Sequence, residues 1–276
     1  MTQQNRTIIV IGNGFDLNLG LPTSYQDFLN SPQFQQLLQT ENQLFAYLKD
    51  KYDLQNWVDI ENELQVYSRE CTITDRNSFR IEHQKLCKCL CSYLNSIDYA
   101  NINMDSFAYK TLSSFIKDEG VTLINFNYTD TINHIIREIH FSTSNDSIKL
   151  HHIHGNASNH NIVFGVEDQA NINTNDVFLL KATQKAFNPI DLTKIFETAQ
   201  NVIFLGHSLG STDHHYFSSF FARQALNHAT KKTIIITCYK EQGRLNIWKS
   251  IRKLTHNNPT EFQIRNDVHI VDLATI

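Results

Sequence analysis

The sequence predicts an α/β fold: a Rossmann-like parallel sheet with a helical cap inserted after its first strand. Three observations predict it. Short Ile- and Val-rich runs recur with helix-length segments between them, the pattern of strands buried on both faces. From Tyr25 to Ser114 no strand pattern occurs, and apolar residues repeat with a helical period instead. Four strand-like runs end in clusters of glycine and polar residues, and in an open parallel sheet those ends share one rim, where ligands bind.

Thr7-Ile8-Ile9-Val10-Ile11 reads as the first strand, stopped by Gly12-Asn13-Gly14-Phe15-Asp16. Glycine is expected there to take positive φ and to let a ligand approach the backbone, with free amides facing nucleotide phosphates. Helical segments then start near Tyr25, after Pro32, at Leu44, at Trp57 and at Phe79, giving a cap over about 25–120 within a single domain of 1–276. Val121 to Tyr128 is the next strand, followed by a helix from Asp130 to Ile139. Ser147 to Ile153 is a strand ending in His154-Gly155, and Asn161 to Gly165 is a short apolar run stopped by glycine. Asn201 to Leu205 is buried and ends in Gly206-His207-Ser208-Leu209-Gly210. Thr233 to Cys238 and Val268 to Val271 close the sheet.

Bulk properties narrow the function. A net charge of −4 with 19% charged residues offers no basic field for nucleic acid. No apolar run approaches the ~20 residues that span a bilayer, so no membrane partner is expected. Five cysteines without a secretory leader pattern read as reduced thiols, and a cytoplasmic location is expected.

The rim motifs resemble those of sirtuins. Gly12-Asn13-Gly14-Phe15-Asp16 followed by Gly20-Leu21-Pro22 resembles the pattern G-A-G-x-S … G-I-P. Asn127 stands where that superfamily has an invariant asparagine, His154-Gly155 where it has its catalytic H-G. Val163-Phe164-Gly165 is similar to its F-G-E strand, and Gly206-His207-Ser208-Leu209 to its G-T-S-L loop. Closer still, I-G-N-G-F-D-L-x-L-G-L-P-T-S-Y, W-x-D-x-E, F-N-Y-T-D, H-x-H-G and G-H-S-L-G-x-x-D resemble the abortive-infection AbiH family. That resemblance implies a sirtuin-type fold and a defence against phage. The four cysteines of the sirtuin zinc module have no counterpart between His154 and Phe164, so no zinc module is expected and protein deacylation is disfavoured.

The resemblance implies NAD as substrate or ligand, with cleavage of its nicotinamide–ribose bond through an oxocarbenium-like transition state. Asn127 would hold the ribose and an attacking water, its amide donating and accepting at once. His154 would act as general base. Gly12, Asn13, Gly14, Phe15, Asp16, Gly206, His207 and Ser208 would line the nucleotide, with Asp130 and Asp213 as orienting carboxylates. Asp16 replaces a serine, and beside a pyrophosphate it is repelled unless it faces a ribose hydroxyl or caps the following helix. An enzyme of this kind is toxic when always active, so a latent or homo-oligomer-gated state answering a phage-derived trigger is expected.

Alternatives stand beside this reading. The rim could bind NAD or an ADP-ribose derivative without turnover, as a sensor. Asn127 could cap the helix after it, and Glu61, four residues from Trp57, reaches the rim if the cap folds over it. Gly206 to Gly210 also satisfies G-x-S-x-G, which would make Ser208 a nucleophile with Asp267 and His269 as partners. His152 and His154, two apart, could share a metal, although no third ligand is evident and no metal is expected. Cys87, Cys89 and Cys91 read as small core residues.

Overall fold

The structure is a computed structural model that describes residues 6–40, 42–55, 59–73, 75–117, 120–140, 148–226 and 228–275. Six strands form one sheet: β1 (Thr7–Ile11), β2 (Val121–Asn125), β3 (Lys149–His152), β4 (Asn201–Leu205), β5 (Thr233–Cys238) and β6 (Asp267–Asp272). Their order is β3-β2-β1-β4-β5-β6 and every pair is parallel. The chain works outward from β1 in one direction, returns to the other side of β1, and works outward again. The reversal lies between the carboxyl ends of β1 and β4, where such sheets open a crevice for ligands.

That order also sorts the helices. Right-handed crossovers running in opposite directions cover opposite faces. Helices α1 (Asn13–Asn18), α2 (Tyr25–Leu29), α3 (Pro32–Leu38), α4 (Gln43–Gln55), α5 (Ile60–Glu70), α6 (Arg76–Asn95) and α7 (Phe107–Phe115) join β1 to β2, and α8 (Thr131–His140) joins β2 to β3. Their apolar side chains, Phe28, Phe34, Phe45, Leu64, Phe79 and Ile132 among them, pack in one core with Ile9, Ile11, Leu123 and Ile203. The alternate residues Ile8, Val10, Ile124, Val202 and Phe204 face the other way. They meet α9 (Thr193–Thr198), α10 (His214–Gln224), α11 (Lys240–Leu254) and α12 (Pro259–Arg265). The stretch read as a cap is therefore the β1–β2 crossover, and its core is continuous with the sheet.

Local chemistry starts these helices. Ser24 and Asp27 form a reciprocal capping box on α2, Ser31 caps α3 ahead of Pro32, and Asp59 accepts the Asn62 amide to open α5. Trp57 and Ser147 lie outside the described residues. The apolar run Val163 to Gly165 is no strand. It lies in the long β3–β4 connection, where Gln184 bonds both the amide and the carbonyl of Phe164. Among the described residues, no helix is long and apolar enough to cross a membrane.

Candidate functional site

The two loops flanking the crevice are built against each other. Gly12 has extended backbone, φ −125°, and neither it nor Gly14 takes positive φ. The need for glycine is closeness. A Cβ on Gly12 would sit 2.7 Å from the His207 Cα, one on Gly14 2.8 Å from the Gly206 oxygen, and one on Gly206 1.9 Å from the Phe15 nitrogen. Gly206 alone of the three has φ +69°. Gly14 N–H donates to Gly206 O at 2.9 Å, and Gly206 N–H donates to Thr237 Oγ1 at 2.7 Å. The amides expected to meet phosphates at Gly14 and Gly206 are thus spent within the protein. Asn13 and Ser208, both exposed on either side of the crevice, have N–H groups with no acceptor among the described residues.

Asn127 and His154 follow the ends of the neighbouring strands β2 and β3. Asn125 pairs with His152 across β2 and β3, and each functional candidate follows two residues later. Asn127 does not cap α8; its Nδ2 donates to Gly12 O at 3.2 Å and ties the end of β2 to the end of β1. Phe126, just before it, meets the His154 ring at 5.4 Å and the His207 ring at 4.7 Å. Three residues depart from expectation. Phe15 is fully buried in the core. Asp16 lies inside α1, where Gly12 is the N-cap, so it caps nothing, and it is fully buried with Oδ2 accepting from Thr129 at 2.6 Å. Burial, outweighing that bond, pushes its carboxyl up to about 6. Asp130 is engaged by Asn133 (2.6 Å), Asn156 (3.2 Å) and Arg137 (2.6 Å) at the start of α8, not by His154.

A chain of buried polar groups runs on from His154. Its Nε2 lies 3.2 Å from Asp213 Oδ1 and 3.5 Å from Lys181 Nζ. Asp213 Oδ2 faces His207 Nε2 at 3.4 Å. Lys181 donates to Glu61 Oε2 at 3.0 Å, and Tyr128 OH donates to Glu61 Oε1 at 2.9 Å. Burial pushes the His154 imidazole toward its neutral form and Lys181 adds to this, against the pull of Asp213. Burial opposes ionisation of Asp213 as well, yet its two histidine partners and Lys181 hold it well below the ordinary carboxylate range. Burial likewise works against the Lys181 ammonium, and Glu61 with Asp213 more than restores it. A neutral imidazole oriented by a lasting carboxylate is the arrangement of a general base.

The family model described as bacteriophage abortive infection AbiH matches residues 8–235, from β1 into β5. The chain belongs to the AbiH family. Membership carries a role in bacteriophage abortive infection, and the matched span includes every residue of the cluster. Comparison with curated proteins finds no match.

Within this AbiH chain the other sequence readings sort clearly. Glu61 does reach the rim, because α5 lays it over the β3–β4 connection. Lys181 went unread in the sequence; its signal is a lone lysine closing the apolar run Val177-Phe178-Leu179-Leu180. Pairing of Lys181 N–H with Val166 O, at 2.9 Å, fixes it there. Ser208 has no triad from Asp267 and His269. Those two meet at 3.1 Å on the exposed edge strand, level with Asn201 and Ile203 at the start and middle of β4, whereas Ser208 follows its far end. His152 bonds Asn125 at 3.3 Å and His154 turns to Asp213, so the two share no metal position. No group of three or more potential metal ligands occurs among the described residues. Cys89 and Cys91 are buried and Cys87 half-buried, all as free thiols.

Proposed function

We propose that this AbiH protein hydrolyses the nicotinamide–ribose bond of NAD, and that the resulting loss of NAD is its step in abortive infection. The observation carrying this reading is that Asn127, tied to Gly12 at the end of β1, and His154, tied to Asp213 after β4, lie two residues past paired positions of β2 and β3 beside the β1/β4 switch point. Asn13 and Ser208 amides suit the pyrophosphate. Asn127 positions water against the anomeric carbon; the C–N bond to nicotinamide breaks as the water oxygen bonds, and His154 takes the proton. Glu61 and Asp213 against one ammonium leave the cluster net negative, which favours the positive charge that develops on the ribose.

His154, His207 and Lys181 are only 3–4% exposed. A dinucleotide reaches them after α5 and the Lys181 turn separate, which suits a latent enzyme awaiting a phage-derived trigger or a change of oligomer. The same closure favours a second reading, a nucleotide sensor without turnover. Nicotinamide release from NAD separates the two. For the enzyme, Asn127→Ala and His154→Ala each lower turnover by about 100-fold or more; turnover indifferent to both removes the site assignment. ADP-ribose binding in a calorimeter with no release under any condition selects the sensor.

A further inference from the structure

We propose that His154 meets its substrate through Nδ1, and that His207 and Lys181 are positioning residues for that base: His207 fixes Asp213, which keeps the proton on Nε2, while Lys181 holds the ring neutral. This rests on the assignment of His154 as the base, though not on which bond is cleaved.

His207 comes first in the derivation. Its Nδ1 accepts the Leu209 N–H at 3.1 Å, so its proton resides on Nε2, the atom facing Asp213 Oδ2 at 3.4 Å. Leu209 makes that bond from a left-handed conformation, φ +51°, uncommon for a leucine, held by complete burial of its side chain. Asp213 Oδ2 is therefore occupied by a donor, and Oδ1 is left for His154 Nε2 at 3.2 Å.

Two tautomers of His154 then compete. With the proton on Nδ1, the Nε2 lone pair would gain only the longer 3.5 Å contact from Lys181 while confronting the Asp213 carboxylate at 3.2 Å, and a buried N–H would be left without an acceptor, since Nδ1 has no hydrogen-bond partner. With the proton on Nε2, Asp213 accepts it and Nδ1 is an unpaired acceptor, the lesser penalty. The second tautomer wins on both counts. It leaves one free basic lone pair, buried and unclaimed by the protein, and that is what a substrate hydroxyl or water requires.

Lys181 acts on charge. Its ammonium donates to Glu61 at 3.0 Å and lies at the longer hydrogen-bond distance of 3.5 Å from Nε2, and its charge opposes protonation of the ring. The other groups facing His154 are Asp213 from the turn before α10, the Tyr216 ring from α10 at 5.9 Å, the Tyr128 ring after β2 at 6.3 Å, and Glu61 of α5 behind Lys181. Burial first and Lys181 second oppose the imidazolium that Asp213 favours, so the ring leans to its neutral form at rest and its cation is supported once a proton arrives.

Nitrogen-15 NMR of histidine-labelled full chain, with His154 assigned by His154→Gln, tests this without any turnover. At pH 7.5 the expected signal is the neutral Nε2–H form. Replacing the ion pair together, Glu61→Gln with Lys181→Met, avoids a lone buried charge and is expected to raise the His154 titration midpoint by about 1 pH unit. His207→Leu is expected to mix the tautomers, and His207→Gln, which restores an N–H donor, to recover the Nε2–H form. A wild-type Nδ1–H tautomer overturns the proposal, as does an unmoved midpoint in the folded double variant. Should the NMR result hold while no nicotinamide is ever released, the NAD reading fails and the positioning stands.

Discussion

Two carboxylates lie near the same edge of the sheet and behave in opposite ways. Asp16, in α1 and facing the turn after β2, accepts from Thr129 on Oδ2, with Thr131 and Asn127 also drawing its carboxyl down, and its Oδ1 has no hydrogen-bond partner. Asp213, before α10, has an imidazole on each oxygen and an ammonium beyond one of them. Burial raises both, and in Asp16 it prevails, to about 6 from an ordinary 3.8; in Asp213 the hydrogen bonds from His154 and His207, with the Lys181 charge behind them, prevail and the carboxyl falls well below 3.8. Depth therefore does not identify a working carboxylate. Compensating donors do, and they gather between the loop after β4 and the β3–β4 connection, where the candidate base is.

The sharpest way to break this contrast is Asp213→Ala. It strands His207 and His154 without their shared acceptor and removes a carboxylate whose charge favours the Lys181 ammonium, and a cost of about 3–5 kcal/mol is expected in urea unfolding at pH 7.5, together with loss of any turnover. The pH dependence has a definite sign. With a depressed folded value, Asp213 supplies stability above pH ~4 that disappears as pH falls toward its folded value, and the variant is expected to approach wild type at strongly acidic pH. A variant equally destabilised at every pH would mean that lost packing, not charge, is responsible.

Asp16→Asn should move the other way. A carboxyl raised to about 6 adds stability below pH 3.8 that is lost as pH rises through 6. At pH 7.5 the ionised group is a burden of at most about 3 kcal/mol, and the asparagine variant is expected to be more stable by up to that amount. The gain should vanish near pH 4, where wild type carries the neutral acid. Unfolding curves at the two pH values check it, and an equal loss at both would show that the carboxylate is satisfied by its surroundings.

How much of this was legible in the sequence follows the same division. The inner strands β1, β2, β4 and β5 are legible as apolar runs, because burial on both faces demands apolar side chains at successive positions, whereas the edge strand β3, Lys149–His152, carries no Ile or Val and is only partly buried. The run at Val163 was apolar for another reason, the fit of Phe164 and Gly165 beside Gln184 and Leu179. The glycines of the first loop were visible, but their cause was not: the backbone they admit belongs to Gly206 and His207, nearly two hundred residues away. Asn127, His154 and Asp213 were found through local motifs at strand ends. Lys181 was missed, since its meaning depends on Glu61 and His154, brought to it only by α5 and a connection with little regular structure. The burial of Asp16 is not legible, because sequence proximity to a glycine turn says nothing about which way a helix turns its side chain.

The finest version of the comparison removes the first of the side chains that oppose burial at Asp16, the Thr129 hydroxyl, and leaves Thr131 and Asn127. Thr129→Val deletes the 2.6 Å hydroxyl bond while keeping shape. At pH 7.5 that bond serves an ionised acceptor, and about 1–2 kcal/mol should be lost. Near pH 4 the carboxyl is neutral, the bond is no longer charge-assisted, and the loss should shrink to under about 1 kcal/mol. The same change is expected to carry the Asp16 titration above 6, because burial then acts with less opposition. In the Asp16→Asn background the pH dependence of the Thr129→Val penalty should disappear, since asparagine does not titrate. A penalty that still varied with pH in the double variant would point to another titrating group at this seam, and the contrast between the two carboxylates would have to be redrawn around it.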